Sequence, residues 1–130
     1  MVLQGLNSTL LITNNPLAKE KYSGKHEIEF LEQDVQGVLI VVRDHIHRGH
    51  KLLTHPLSGS VKPNENPYKT VLLSKSSSKT DNDSVMIIEQ SIITAKKFEK
   101  RVIQDRHLRD LQEVDLSLIS NAFENTKGGS

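Results

Sequence analysis

The sequence predicts an α/β fold: a three-layer arrangement with a mainly parallel, four-stranded sheet flanked by helices, Rossmann-like in general architecture. Three observations predict it. Short apolar or alternating runs take turns along the chain with segments of helical period. Turn-forming residues punctuate the junctions between them. The resulting order is strand, short helix, strand, helix, strand, long loop, strand, helix, helix, and a covering helix between two strands returns the second parallel to the first. At 130 residues, the chain is expected to form one domain over residues 1–130, with about 124–130 as a frayed tail.

Thr9-Leu10-Leu11-Ile12-Thr13 is an apolar run bounded by polar residues, the signature of a buried strand. Asn14-Asn15-Pro16 ends it. Asn is a capping residue and Pro fits the first helical position, so a short helix is expected from Pro16 to about Tyr22, stopped by Ser23-Gly24. His26 to Leu31 alternates polar and apolar residues, as a half-buried strand near an edge does. From Asp34 to Arg48, Val35, Leu39, Val42 and Ile46 recur at spacings that stack on one helical face, and Gly49 stands where a left-handed terminating residue belongs. Lys51-Leu52-Leu53-Thr54 is read as the third strand and Thr70-Val71-Leu72-Leu73 as the fourth. Asp81-Asn82-Asp83-Ser84 opens a helix with acidic residues at its positive end, and its stripe runs from Val85 through Val102 to about Ile103. A last helix, Arg106 to Phe123, carries Leu108, Leu111, Val114, Leu118 and Ile119.

Composition removes several functions. Seventeen basic against 16 acidic residues leave a formal +1, so no broad positive field exists to attract nucleic acid or anionic lipid. The absence of cysteine removes disulfides, thiolate metal sites and thiol redox relays. The opening MVLQGLNSTLLITNN lacks the basic start and long apolar stretch of a secretory signal, and no apolar stretch reaches the ~20 residues that span a bilayer. A cytoplasmic location is expected, with no nucleic-acid or membrane partner and no cofactor.

The polar content is concentrated between His45 and Pro67, which hold four of the six histidines and three of the four prolines. Long loops in compact domains are often functional. In sheets of the expected kind, ligands bind at strand carboxyl ends. Thr13-Asn14-Asn15 leaves the first strand and Thr54 to Asn66 leaves the third, so both are expected to line one crevice.

Ile12-Thr13-Asn14-Asn15-Pro16-Leu17, Leu52-Leu53-Thr54-His55-Pro56-Leu57-Ser58-Gly59-Ser60 and Lys62-Pro63-Asn64 together resemble the GrdX family. These are small proteins encoded with the glycine, sarcosine and betaine reductase components of amino-acid-fermenting anaerobes. The resemblance runs from about Leu11 to Phe98. It implies a cytoplasmic, anaerobic setting and an accessory role beside a selenium-dependent reductase.

Four chemistries compete for the crevice. In the first, a small anionic ligand is held by Lys62, with Thr13, Asn14, Asn15, Thr54, Ser58, Ser60 and Asn64 donating hydrogen bonds. Gly59 would allow close backbone approach and His55 would add a titratable donor. The spacing is not that of a P-loop or a dinucleotide fingerprint. In the second, an enzyme (a hydrolase or group transferase) uses His55 as acid or base near Ser58 and Ser60, oriented by Asp44 or Glu65. No G-x-S-x-G elbow supports it. In the third, the loop docks the protein on the reductase components. The fourth is a metal site. His47 and His50 are its nearest candidates, with His45, His55 and Asp44 close in sequence, but Gly49 interrupts the helix between them and no ligand motif is present, so none is assigned. At a helix end, His45, His47 and His50 also suit the dipole. The stripes of the two last helices are expected to be core, while Leu108, Leu111 and Leu118 could still support a homodimer by leaving a residual patch exposed.

Overall fold

The computed structural model describes residues 9–57, 66–98 and 103–128. Its elements are β1 (Thr9–Thr13), α1 (Pro16–Tyr22), β2 (Glu27–Phe30), α2 (Val35–His47), β3 (Thr70–Ser74), α3 (Asn82–Lys96) and α4 (Asp105–Gly128). The strands form one mixed sheet in the order β2-β1-β3. β1 and β2 run parallel, with Leu11 opposite Ile28; β1 and β3 run antiparallel, with Leu11 opposite Leu72.

The expected four-stranded, mainly parallel, Rossmann-like sheet is therefore not what forms. Two local causes account for the difference. Lys51 to Thr54 does run beside β3, but its only recorded pairing is an isolated antiparallel bridge between Leu52 and Leu73. Leu53 N–H donates to Leu72 O, and Ser74 N–H donates to Lys51 O. Hydroxyls then take over: the Thr54 hydroxyl accepts from Leu72 N–H at 3.1 Å, and the Ser74 hydroxyl accepts from Lys51 N–H at 2.9 Å. Side chains thus hold positions that a fourth strand's ladder would use. The second cause is the connection into β3. A parallel return needs a crossover long enough to cover a sheet face, usually a helix. Among the described residues between Thr54 and Thr70 there is no helix, and β3 runs antiparallel to β1.

The helix limits follow from capping. Asn15 caps α1, its side chain accepting from Leu17 N–H at 3.0 Å, with Pro16 at the first helical position. Asp34 caps α2 by accepting from Gly37 N–H at 2.9 Å, and Gly49 after its end has φ +103°. Asp81 caps α3 through Ser84 N–H. α3 ends at Lys96, short of the expected Ile103; Val102 lies outside the described residues. α4 continues to Gly128, past the expected Phe123.

Helices pack on both faces of the small sheet. On one, Leu10, Ile12, Val71 and Leu73 meet Val38, Leu39, Val42 and Ile46 of α2 and Ile88, Ile92 and Ala95 of α3. On the other, Leu11 and Leu72 meet Ala18 and Tyr22 of α1 and Ile119 of α4. The second face is the smaller, and polar and aromatic contacts supplement it: Tyr22 Oη lies 2.8 Å from Ser120 Oγ, and the Tyr22 and Phe123 rings meet edge to face at 4.8 Å. Among the described residues no helix is long and apolar enough to cross a membrane.

Candidate functional site

The carboxyl end of β1 and the start of β3 share one end of the sheet, and a buried polar cluster is built there. Thr13, the last residue of β1, and Thr70, the first of β3, are register partners. Their hydroxyls lie 2.7 Å apart. Thr70 Oγ1 donates to Asp115 Oδ2 at 2.7 Å, which commits its single proton. Thr13 must therefore supply the proton of the Thr13–Thr70 bond, while its oxygen accepts from Asn15 N–H at 3.0 Å. The outcome is a directed chain of hydrogen bonds ending on a carboxylate, Asp115, that is 4% exposed.

The asparagines that follow β1 are engaged in the scaffold. Asn14 Nδ2 donates to Gln33 O at 2.8 Å and to Pro67 O at 2.9 Å, and Asn14 Oδ1 accepts from Lys69 N–H at 2.8 Å. Asn15 Nδ2 donates to Gln112 O and to Asp115 Oδ2, both at 2.9 Å. Asn14 thus ties the loop before α2 to the approach to β3, and Asn15 ties α1 to α4. Asn66 and Tyr68 extend the seam: Asn66 Nδ2 donates to Leu111 O at 3.0 Å, and Gln112 Nε2 donates to Tyr68 Oη at 2.9 Å.

A narrow cleft opens on this cluster, lined by Thr54, His55, Pro56, Lys69, Thr70, Asp115, Leu118, Ile119 and Ala122, with a free volume of about 10 Å³. That is room for about one water-sized group. Lys69 is only 6% exposed. Burial holds its ammonium below the ordinary lysine range, and the Asp115 charge opposes part of that fall. Thr54 and His55 line the same cleft. The Thr54 oxygen accepts from Leu72 N–H, which leaves its proton to donate. His55 Nδ1 accepts from Leu57 N–H at 3.1 Å, so the neutral ring carries its hydrogen on Nε2. A lysine and a carboxylate buried in one cleft, the lysine perturbed by desolvation, are the physical marks of a functional site.

The structure brings Thr13, Asn14, Asn15, Thr54 and His55 to the same end of the sheet. Ser58, Gly59, Ser60, Lys62, Asn64 and Glu65 lie outside the described residues. The histidines before the loop sit elsewhere. His45 Nε2 lies 2.7 Å from Glu29 Oε1, His50 Nδ1 donates to Ser74 O at 2.6 Å, and His47 is exposed. Among the described residues no group of three or more His, Asp or Glu is placed to hold a metal ion.

Three members of the cleft escaped the sequence reading: Lys69, Thr70 as a polar group, and Asp115. Asp115 carried a signal. It lies in phase with Leu108, Leu111, Leu118 and Ala122, a lone charge on the apolar stripe of α4. Val114, read as part of that stripe, is 50% exposed, because the helix turns Asp115 inward instead.

A family model described as GrdX-like protein matches residues 10–124. The chain belongs to the GrdX-like family. The match takes in most of α4, beyond the Leu11–Phe98 stretch of the motif resemblance, so the helix that supplies Asp115 is part of the GrdX-like unit. No curated protein and no solved structure matches the chain.

Proposed function

We propose that this GrdX-like protein is a non-catalytic accessory protein that binds a small anionic ligand, one oxygen of whose charged head enters the cleft between Thr54–Pro56, Lys69 and α4. The observation that carries the reading is Lys69: a cation almost wholly removed from water, lining a cleft that also holds unspent donors. A buried ammonium is costly unless something compensates it. Asp115 supplies part of that compensation, and a ligand carboxylate or phosphate oxygen would add to it while accepting from the Thr54 hydroxyl and His55 Nε2–H. Thr13, Asn14 and Asn15 serve as the fixed wall that aims these groups. Ser58, Gly59, Ser60, Lys62 and Asn64 would complete the ring of donors from the loop. A phosphorylated or carboxylated metabolite of glycine reduction fits the family setting.

Binding is preferred to catalysis because, among the described residues, the hydrogen bond of His55 is local, to Leu57 N–H, whereas an acid–base histidine needs a group that orients it toward substrate. The test is a thermal-shift panel of carboxylates, phosphates and glycine-pathway metabolites on the intact protein, with Lys62→Ala and Lys69→Met alongside. A ligand at 100 times its Kd adds about 2.7 kcal/mol. A shift for one anion class, lost in both variants, is the expected result. A flat panel would reject the reading and favour docking on the reductase components, to be checked by co-purification.

A further inference from the structure

The opposite end of the sheet carries a second concave region, with a different charge. Gly49, Lys51, Ser74, Lys75, Ser77, Lys79, Thr80 and Asp81 surround a depression of about 360 Å³. That lies within the ~300–1,000 Å³ range of small-molecule sites and is far roomier than the Lys69 cleft. Its lining holds three lysines against one carboxylate. The whole chain is only +1, so this is a local concentration of charge rather than a sample of a basic surface.

The three lysines come from two separate segments that the backbone locks together. Gly49 has φ +103°, and a Cβ there would collide with Ser77 O. Ser77 N–H donates to Gly49 O at 3.0 Å, Ser76 Oγ donates to Arg48 O at 2.7 Å, and Lys51 N–H donates to Ser74 Oγ at 2.9 Å. The one acidic group is spoken for: Asp81 Oδ2 accepts from both the amide and the hydroxyl of Ser84 at the start of α3. The lysine side chains therefore border a preformed hollow whose only carboxylate is turned to capping.

We propose that this depression binds the phosphate group of a small phosphorylated molecule, gripped by Lys51, Lys75 and Lys79. Three ammonium groups less one carboxylate leave about two positive charges, which match a phosphate dianion better than a carboxylate. The site is independent of the Lys69 cleft, since the two lie at opposite ends of β3.

The test is an amide NMR titration of the intact protein with inorganic pyrophosphate at about 0.15 M salt, where loose surface attraction is screened. Lys75→Ala/Lys79→Ala is the variant, its folding verified by its own amide spectrum, and exposed Lys25→Ala is the control for loss of a surface charge elsewhere. The expected result is saturable shifts at Gly49, Lys51 and residues 75–81, with affinity at least tenfold weaker in the double variant and unchanged in Lys25→Ala. Shifts that do not saturate, that scatter over lysines outside the depression, or that persist in the double variant would overturn the proposal. Sedimentation with vesicles containing phosphatidic acid, whose headgroup is a phosphate monoester, distinguishes the source. Vesicle binding lost in the double variant and competed by pyrophosphate assigns the phosphate to a lipid headgroup; pyrophosphate binding without vesicle binding assigns it to a soluble molecule.

Discussion

Asn15 and Asp115 meet at 2.9 Å although a hundred residues separate them. The same Asp115 oxygen takes the Thr70 hydroxyl at 2.7 Å, so one carboxylate atom joins α1, β3 and α4. Both residues are buried, at 0% and 4% exposure. A carboxylate in that position holds the second face of the sheet together and shares a cleft with the Lys69 cation.

Removing Asp115 should therefore cost more than a typical surface change. Asp115→Ala strands the Thr70 hydroxyl and the Asn15 amide and leaves Lys69 with less compensation. A loss of about 3 kcal/mol in urea denaturation is expected. Asp115→Asn, which can still accept from Thr70, should lose less. Adding Lys69→Met to Asp115→Ala should recover part of the loss, because the buried charge that Asp115 had helped to compensate is gone. If the double variant is as unstable as the sum of the two single ones, Lys69 and Asp115 are not coupled.

Stability should also depend on pH through Lys69. Its folded value lies below the 10.5 of an unperturbed lysine, chiefly through burial. Below the folded value the ammonium is charged in both states, and the folded protein bears the full burial penalty. Between the folded value and 10.5 the unfolded chain binds more protons, so unfolding free energy rises with pH across that window. Wild type minus Lys69→Met should show this rise in denaturation curves on the alkaline side, below 10.5, and a flat difference would argue against it. Asp115→Asn should widen the window downward, since Asp115 is the charge that raises the Lys69 value.

Gly49 and Gly24 form a matched pair for the loop that borders the lysine depression. Both have positive φ, +103° and +82°. A Cβ on Gly24 meets nothing within 4 Å, whereas one on Gly49 strikes the Ser77 carbonyl. Gly24→Ala should cost about 1 kcal/mol, from backbone strain alone, and Gly49→Ala about 2–3 kcal/mol. Similar melting temperatures for the two variants would mean that the Gly49–Ser77 contact relaxes readily.

The core gives a simpler contrast. Ile12→Ala removes a side chain with 0% exposure between β1 and α2 and should cost about 2–5 kcal/mol. Met86, 70% exposed on α3, should tolerate Ala within about 0.5 kcal/mol. Chemical denaturation of the two variants measures both.

The helix starts were legible because capping is local. Asn15-Pro16, Asp34 and Asp81 each announce a helix through residues within one turn, and Gly49 announces an end in the same way. Strand direction was not legible, since it is set by the connection after Thr54 and not by the residues of β3. The third strand was misread for a related reason: Lys51–Leu53 has strand composition, but the Thr54 and Ser74 hydroxyls occupy the amides a full ladder would pair. The meeting of Thr13–Asn15 with Thr54–His55 was expected for a partly mistaken reason. The two segments do leave the same end of the sheet, but β3 lies between them. Lys69 carried no warning, as Tyr68-Lys69 looks like any polar approach to a strand. Asp115 did, through its phase on α4.

The placement of α4 bears on how the protein is made. The face of the sheet covered by α2 and α3 can close once residue 96 has been synthesised. The other face, with Leu11 and Leu72, waits for Ile119 and Phe123 to arrive. At ribosomal speeds that interval is on the order of seconds. A nascent chain therefore spends that time with one side of its sheet covered by α1 without α4, and the Asn15–Asp115 bond is among the last long-range contacts it can make.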